Sequence, residues 1–265
     1  MKKIRFALTT IKIFMKNQMQ NKTYLLLDMI NMLSRCVIVF LLYGYVFSLN
    51  DGNINGLDYK TSLWSMFIYF CIMTLKIRNI DTSIMNDVKS GNVEMFMNKP
   101  ISYVIYSFYR TLGQGLYSFL VISFVGTILM IMFVGLPNVT LSVFIPIIIL
   151  TLILGMVLGL LMYSIIGLIS FMIQDIRPIH WIVDKLVMVL GGSYLPVAMF
   201  PNFMKLFAYI SPFGAVNFAT STVYNDWNDQ FIIRIGIQIL WILISYLILK
   251  LVFRKVKIKS MVNGG

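Results

Sequence analysis

One histidine, two cysteines and ten acidic residues in a chain of 265 leave little material for catalysis. His180 has no partner at metal-ligand spacing, so it reads as a helix-end histidine near the lipid headgroups. Cys36 and Cys71 both fall in apolar runs, read as small buried hydrophobes, and imply no disulfide. There is no G-x-x-x-x-G-K-S/T, so the chain cannot hold ATP through a P-loop. There is also no G-x-S-x-G and no Cys–His arrangement. An intramembrane enzyme should present a convergent catalytic set, and none is visible. Charge is scarce as well, at 12% of residues against about 25% in a soluble domain.

What is abundant is apolar surface: 59% of residues, with a mean hydropathy of +0.84. This composition reads as an integral membrane protein. The apolar runs are long and lack strict alternation, which favours helices over a barrel. Six spans are expected, at about 24–48, 61–80, 103–134, 141–172, 181–198 and 231–252. The expected fold is an all-α membrane protein, one transmembrane domain over residues 1–265. The opening "MKKIRFALTTIKIFMKNQMQNK" has no small-residue cleavage site, and Lys12 and Lys16 interrupt it, so it is not expected to be a signal peptide. Ile4, Leu8, Ile11 and Met15 share one helical face; Arg5, Thr9, Lys12 and Lys16 share another. Residues 1–22 therefore read as an interfacial helix.

The formal net charge of +12 could suggest nucleic acid, but its placement argues otherwise. Lys and Arg crowd residues 1–24, 76–110, 177–185 and the tail from 250, while the opposite loops hold only Lys60 and Lys205. The positive-inside rule puts both termini in the cytoplasm, in accord with an even number of spans. No nucleic-acid partner is expected.

Within the spans, Asp28, Asn31 and Arg35 share a helical face. A charge as deep as Arg35 costs about 2.5–3.5 kcal/mol on the insertion scale, so it must face protein or water. Two readings stay open: a lining for a substrate path, or a buried structural pair with Asp28. In the third span Tyr106, Tyr109, Gly113 and Tyr117 form a stripe that either packs or lines a passage for amphiphiles. In the fourth, Gly155, Gly159, Tyr163 and Gly167 recur every four residues and allow close packing, within the subunit or at a dimer seam. Residues 191–214 are apolar but broken by Pro196, Pro201 and Pro212, which suggests short helices dipping back into the outer leaflet.

Between the second and third spans, residues 81–100 read as a cytoplasmic elbow. Asp81 or Thr82 can cap a helix carrying Ile80, Ile84 and Val88. Gly91 suits its C′ position, Asn92 can start a second turn, and Pro100 ends it. Met95, Phe96 and Met97 give that turn an adaptable apolar tip, suited to docking or to packing back on the spans.

"SGNVEMFMNKPIS" resembles the cytoplasmic segment of ABC-2 type permeases, where Gly-x-Ile/Val-x-x-Leu/Phe-Leu/Met-x-Lys/Arg-Pro-Ile/Leu recurs. "GGSYLPVAMFPNFMKLFAYISPFGAVNFATSTVY" is similar to the family's segment before the last span, with its Leu-Pro pair, second proline and Ser-Pro pair. The resemblance covers essentially the whole chain. It implies a permease subunit of a bacterial inner-membrane exporter for a drug, peptide or lipid. It implies two separate ABC ATPase subunits, which carry the ATP and Mg, and a second permease chain, identical or a sister. No cofactor is implied in this chain. It implies an ATPase-coupling surface at Ile84, Val88, Gly91, Val93, Glu94, Met95, Phe96, Lys99 and Pro100. It implies an extracellular gate at 191–214, around Leu195, Pro196, Pro201 and Pro212. Arg35, Tyr106, Tyr109 and Tyr117 are the expected translocation path. The rival reading is a secondary transporter or channel working without an ATPase. That rival should show paired broken helices related by an internal repeat, and the sequence has one broken region.

Overall fold

The computed structural model describes residues 2–93, 102–173, 175–224 and 226–263. Helix α1 (Lys2–Gln20) precedes α2 (Lys22–Ser48). A two-stranded hairpin follows, β1 (Asn53–Ile54) and β2 (Leu57–Asp58), with Asn53 opposite Asp58 and Ile54 opposite Leu57. Its turn residues Asn55 and Gly56 both have positive φ, 50° and 82°, the Asn-Gly signature of a tight primed turn. Then come α3 (Tyr59–Met73), α4 (Asn79–Lys89), α5 (Tyr103–Val134), α6 (Leu141–Ile169) and α7 (Arg177–Leu190). Short pieces follow: a 3-10 turn at Val197–Met199, α8 (Asn202–Ile210), α9 (Pro212–Ala215) and a 3-10 turn at Phe218–Val223. The last helix is α10 (Trp227–Asn263).

Four stretches among the described residues are long and apolar enough to cross a membrane: Lys22–Ser48, Tyr103–Val134, Val143–Ile169 and Asp229–Val256. These coincide with the first, third, fourth and sixth expected spans. The other two are shorter than expected. Helix α3 stops at Met73, where Lys76 takes a left-handed φ of 54°, and the chain resumes as α4. At 1.5 Å per residue α3 is about 22 Å long. Every residue from Thr61 to Ile72 is buried, so α3 is apolar all round because protein surrounds it all round. Helix α7 ends at Leu190, before Gly191 and Gly192, the latter with φ +81°.

Two packed regions organise the fold. One surrounds α3, with Trp64, Phe67, Tyr69 and Phe70 meeting Met32, Tyr43 and Phe47 of α2 and Ile122 of α5. The second joins Ile80 and Ile84 of α4, Leu158, Tyr163 and Ile166 of α6, Val187 of α7 and Val216. Helix α1 packs against α5. Phe6 meets Tyr109 edge-on at 6.5 Å and Phe14 meets Tyr106 at 6.3 Å. The absence of a side chain at Gly113 lets the Ile11 carbonyl and Phe14 approach. Thr10 is buried, whereas Ile4 and Leu8 are exposed. The packing stripe is thus Phe6, Thr10, Ile11 and Phe14, rotated from the apolar face read in the sequence.

Candidate functional site

The glycine stripe of α6 is the axis on which three parts of the chain converge. At Gly155 a Cβ would fall 2.2 Å from the Val216 carbonyl oxygen. At Gly159 the neighbours are Ile77, in the break between α3 and α4, and Val216. The Tyr163 hydroxyl donates to Asp184 of α7 at 3.2 Å. At Gly167 a Cβ would meet Ile84 at 2.9 Å and the Asp81 backbone at 3.0 Å, both on α4. These positions of α6 thus pack closely on other parts of the same chain.

Helix α4 is tied on either side by ion pairs. Arg78, at its N-terminus, donates to both Asp184 oxygens at 2.9 and 3.1 Å. Asp81 pairs with His180, one turn before Asp184 on α7. Asp81 is fully buried. At the other end of α4, Asp87 binds Arg110 at 2.8 Å and accepts from the Tyr103 hydroxyl at 2.7 Å, both on α5. A charge buried with a hydrogen-bonded partner is tolerable where an unpaired one is not, so these pairs hold α4 in register with α5 and α7. Asp81 is thus inside the helix and bonded across to α7; the N-cap position belongs to Arg78, which makes no side-chain cap.

At the other end of α6 the short helices form a cap. Gly191 and Gly214 leave room for the Asn217 amide and the Ala208 carbonyl respectively. The Ser211 hydroxyl caps α9 by accepting from Gly214 N at 3.3 Å, with Pro212 at the first helical position. Gln238 of α10, fully buried, donates to the carbonyls of Thr151 (3.2 Å) and Ala215 (2.8 Å), joining α10, α6 and α9. Asn217 donates to Val187 O of α7 at 3.3 Å. The buried Arg234 guanidinium pairs with Asp226 and stacks over Tyr209 and Trp227 at 4.5 and 4.9 Å. Tyr43 of α2 donates to Tyr194 O at 3.1 Å, and Tyr224 meets Ser65 of α3 at 3.0 Å. Of the four expected gate residues, Pro196 is buried, Leu195 and Pro212 are half-buried, and Pro201 is exposed. Helix α8 turns Phe203, Leu206, Phe207 and Ile210 outward.

The residues expected at a coupling surface divide three ways. Ile84 and Val93 are buried within this chain and offer nothing to a partner. Val88 is half-buried against the second packed region. Gly91 is exposed, with φ +71°, at the end of α4 beside exposed Lys89, Ser90 and Asn92. Glu94, Met95, Phe96, Lys99 and Pro100 lie outside the described residues.

The expected path residues also divide. Tyr106 and Tyr109 are occupied by α1, and Arg110 stacks on Tyr106 at 5.9 Å. Tyr117 is half-buried. Asp28 does not pair with Arg35. It accepts from Lys76 at 2.7 Å and from Ser118 at 3.0 Å, because the break after α3 brings Lys76 to it. Arg35 is exposed on α2 and, with Asp28, Asn31, Thr74 and Lys76, lines an open pocket of about 190 Å³.

Arg78 and Asp184 were missed as a pair by reading the sequence, and His180 was taken for an interfacial residue. The signal was present in the spacing. Arg78 and Asp81 are three apart and His180 and Asp184 four apart, so each pair occupies one helical face with opposite charges to match.

A family model described as ABC-2 family transporter protein matches residues 29–260. No curated protein matches the chain.

Proposed function

Because the chain belongs to the ABC-2 transporter family, we propose that it is the membrane-spanning permease subunit of an ATP-driven exporter. It is a multi-pass, mostly helical membrane protein. In our reading it crosses the bacterial inner membrane six times. The broken unit α3–α4 serves as the second crossing, α7 as the fifth, and both termini are cytoplasmic. Two ABC ATPase subunits supply ATP and Mg, and a second permease chain completes the assembly. Residues 191–214 form an outward re-entrant gate, and α1 lies in the cytoplasmic interface.

The observation that carries this reading is the double strap of α4 to α7. An ATPase pressing on the end of α4 moves a body joined by Arg78–Asp184 and Asp81–His180 to α7. Helix α7 runs into Gly191, Gly192 and the cap, and Asn217 of the cap holds its last turn. A displacement at one end therefore reaches the other through closely packed, bonded parts. The substrate class is hydrophobic or amphiphilic.

The docking surface assigned to the ATPase is the exposed end of α4, Lys89 to Asn92, with the following Glu94 to Pro100. The full chain, expressed with its ATPase, is expected to co-purify with it. Combined Met95→Asp and Phe96→Asp should abolish that retention, and Lys89→Glu should weaken it. Val88→Asp is a poor probe, since Val88 packs on the chain itself. Retention of the ATPase by the double aspartate variant would overturn the docking assignment. Movement of substrate by the purified chain alone, along an ion gradient, would overturn the exporter reading.

A further inference from the structure

Arg35 sits thirteen residues into α2, about 20 Å along the axis from Lys22, and the apolar run Cys36–Leu42 follows it. It is exposed and forms no ion pair among the described residues. Its pocket is lined by polar groups together with Met32, Phe70 and Met73. Lys76 brings a second positive charge and Asp28 a single negative one, so the pocket carries a net positive charge. Thr74 spends its hydroxyl proton on Cys71 O at 2.7 Å and keeps an accepting lone pair.

We propose that this pocket binds the acidic headgroup of a membrane-dissolved amphiphile, with Arg35 as the anion-binding group and the apolar side chains against the start of its chain. The guanidinium presents a planar fork matched to a phosphate or carboxylate. An anion seated there offsets the cost of holding a cation at that depth. A second copy of this chain is a poorer occupant. Among the acids on its helices, Asp28 is held by Lys76 and Ser118, and Asp184 by Arg78 and Tyr163. Naming the amphiphile as cargo rests on the exporter reading above; its binding at Arg35 does not.

Native mass spectrometry of the full chain, released from detergent without any ATPase, tests this directly. The probes are phosphatidylglycerol, phosphatidylcholine and inorganic phosphate. The wild type is expected to retain phosphatidylglycerol over phosphatidylcholine. Arg35→Gln should weaken phosphatidylglycerol retention about tenfold and erase the preference, as loss of one charge-assisted contact predicts. Arg35→Lys should keep the preference in part, and Arg177→Gln, at an exposed pair elsewhere, should change nothing. Equal retention of both lipids by the wild type, or an unchanged Arg35→Gln, overturns the proposal. Displacement of the lipid by inorganic phosphate alone overturns the amphiphile and leaves only an anion site. A change in the monomer–dimer ratio of Arg35→Gln with lipid retention intact shows that a second copy covers the pocket, and also overturns it. Lipid binding that survives when ATPase co-purification fails would separate this inference from the exporter reading.

Discussion

Gly155→Val is expected to remove nearly all correctly folded protein from the membrane, and Gly236→Ala to raise the melting temperature. The two changes enlarge glycines in long helices, yet their surroundings differ in kind. The new Cβ at 155 would lie 2.2 Å from the Val216 carbonyl oxygen and 3.2 Å from its carbon. Those are backbone atoms of the cap, held by Gln238 and Asn217, and they cannot swing aside like the end of a side chain. Overpacking a well-filled interior costs about 1–3 kcal/mol and sometimes more. Here a second cost adds, because displacing the cap releases Gln238 from Ala215 O and leaves a buried amide short of a partner. Nothing lies within 4 Å of a Cβ at 236. That substitution gains helix propensity of roughly 0.8–1 kcal/mol without a clash. Size-exclusion profiles and melting curves of the two purified variants check the pair. A normal profile for Gly155→Val would mean that α6 and the cap are not in contact.

Asp184→Asn should leave a folded protein that still holds its ATPase but transports at a small fraction of the wild-type rate. The substitution keeps the shape and removes the charge that neutralises Arg78. Breaking a buried pair by removing one partner costs about 3–5 kcal/mol. The Arg78 side chain is 23% exposed, so water recovers part of that cost. Tyr163 loses its carboxylate acceptor in the same step. The α4–α7 strap then depends on Asp81–His180 alone, while the end of α4 proposed to dock the ATPase is untouched. ATP hydrolysis should therefore continue, uncoupled from transport. The exchange Arg78→Asp with Asp184→Arg should recover part of the transport, which a simple packing defect would not allow. Equal loss of hydrolysis and transport in Asp184→Asn would argue against coupling through this strap.

How much of this was legible in the sequence depends on the range of the interaction. The four long spans follow from local hydropathy, which needs only neighbours in the chain. The ends of α3 and α7 do not. A helix apolar on every side looks the same in sequence whether lipid or protein surrounds it, so the break at Lys76 was hidden. It depends on α5, where the bare backbone at Gly115 admits the Leu75 carbonyl, and on Asp28, which receives Lys76. The Asn-Gly turn at 55–56 carried a strong short-range signal and was overlooked inside a polar loop. The glycine stripe of α6 was visible as close packing, but not what it packs against. Tyr106 and Tyr109 looked like a passage lining because α1 was assigned to the membrane surface, and its face toward α5 had no periodic signature beyond Phe6 and Phe14. Ile84 was read for its four-residue spacing, which marks an apolar face without saying whether the chain itself covers it. The two α4–α7 ion pairs join residues 106 and 99 positions apart, and only the fold brings them together.

The central claim is that α4 and the cap of short helices move together. The most direct measurement is the distance between spin labels on Tyr45→Cys, in the last turn of α2, and Phe203→Cys on α8, both exposed sites. It is made in the chain assembled with its ATPase after replacement of Cys36 and Cys71. Adding ATP should shift this distance distribution in the wild type and leave it unchanged in Asp184→Asn. The same ATP response in Asp184→Asn as in the wild type would contradict the account.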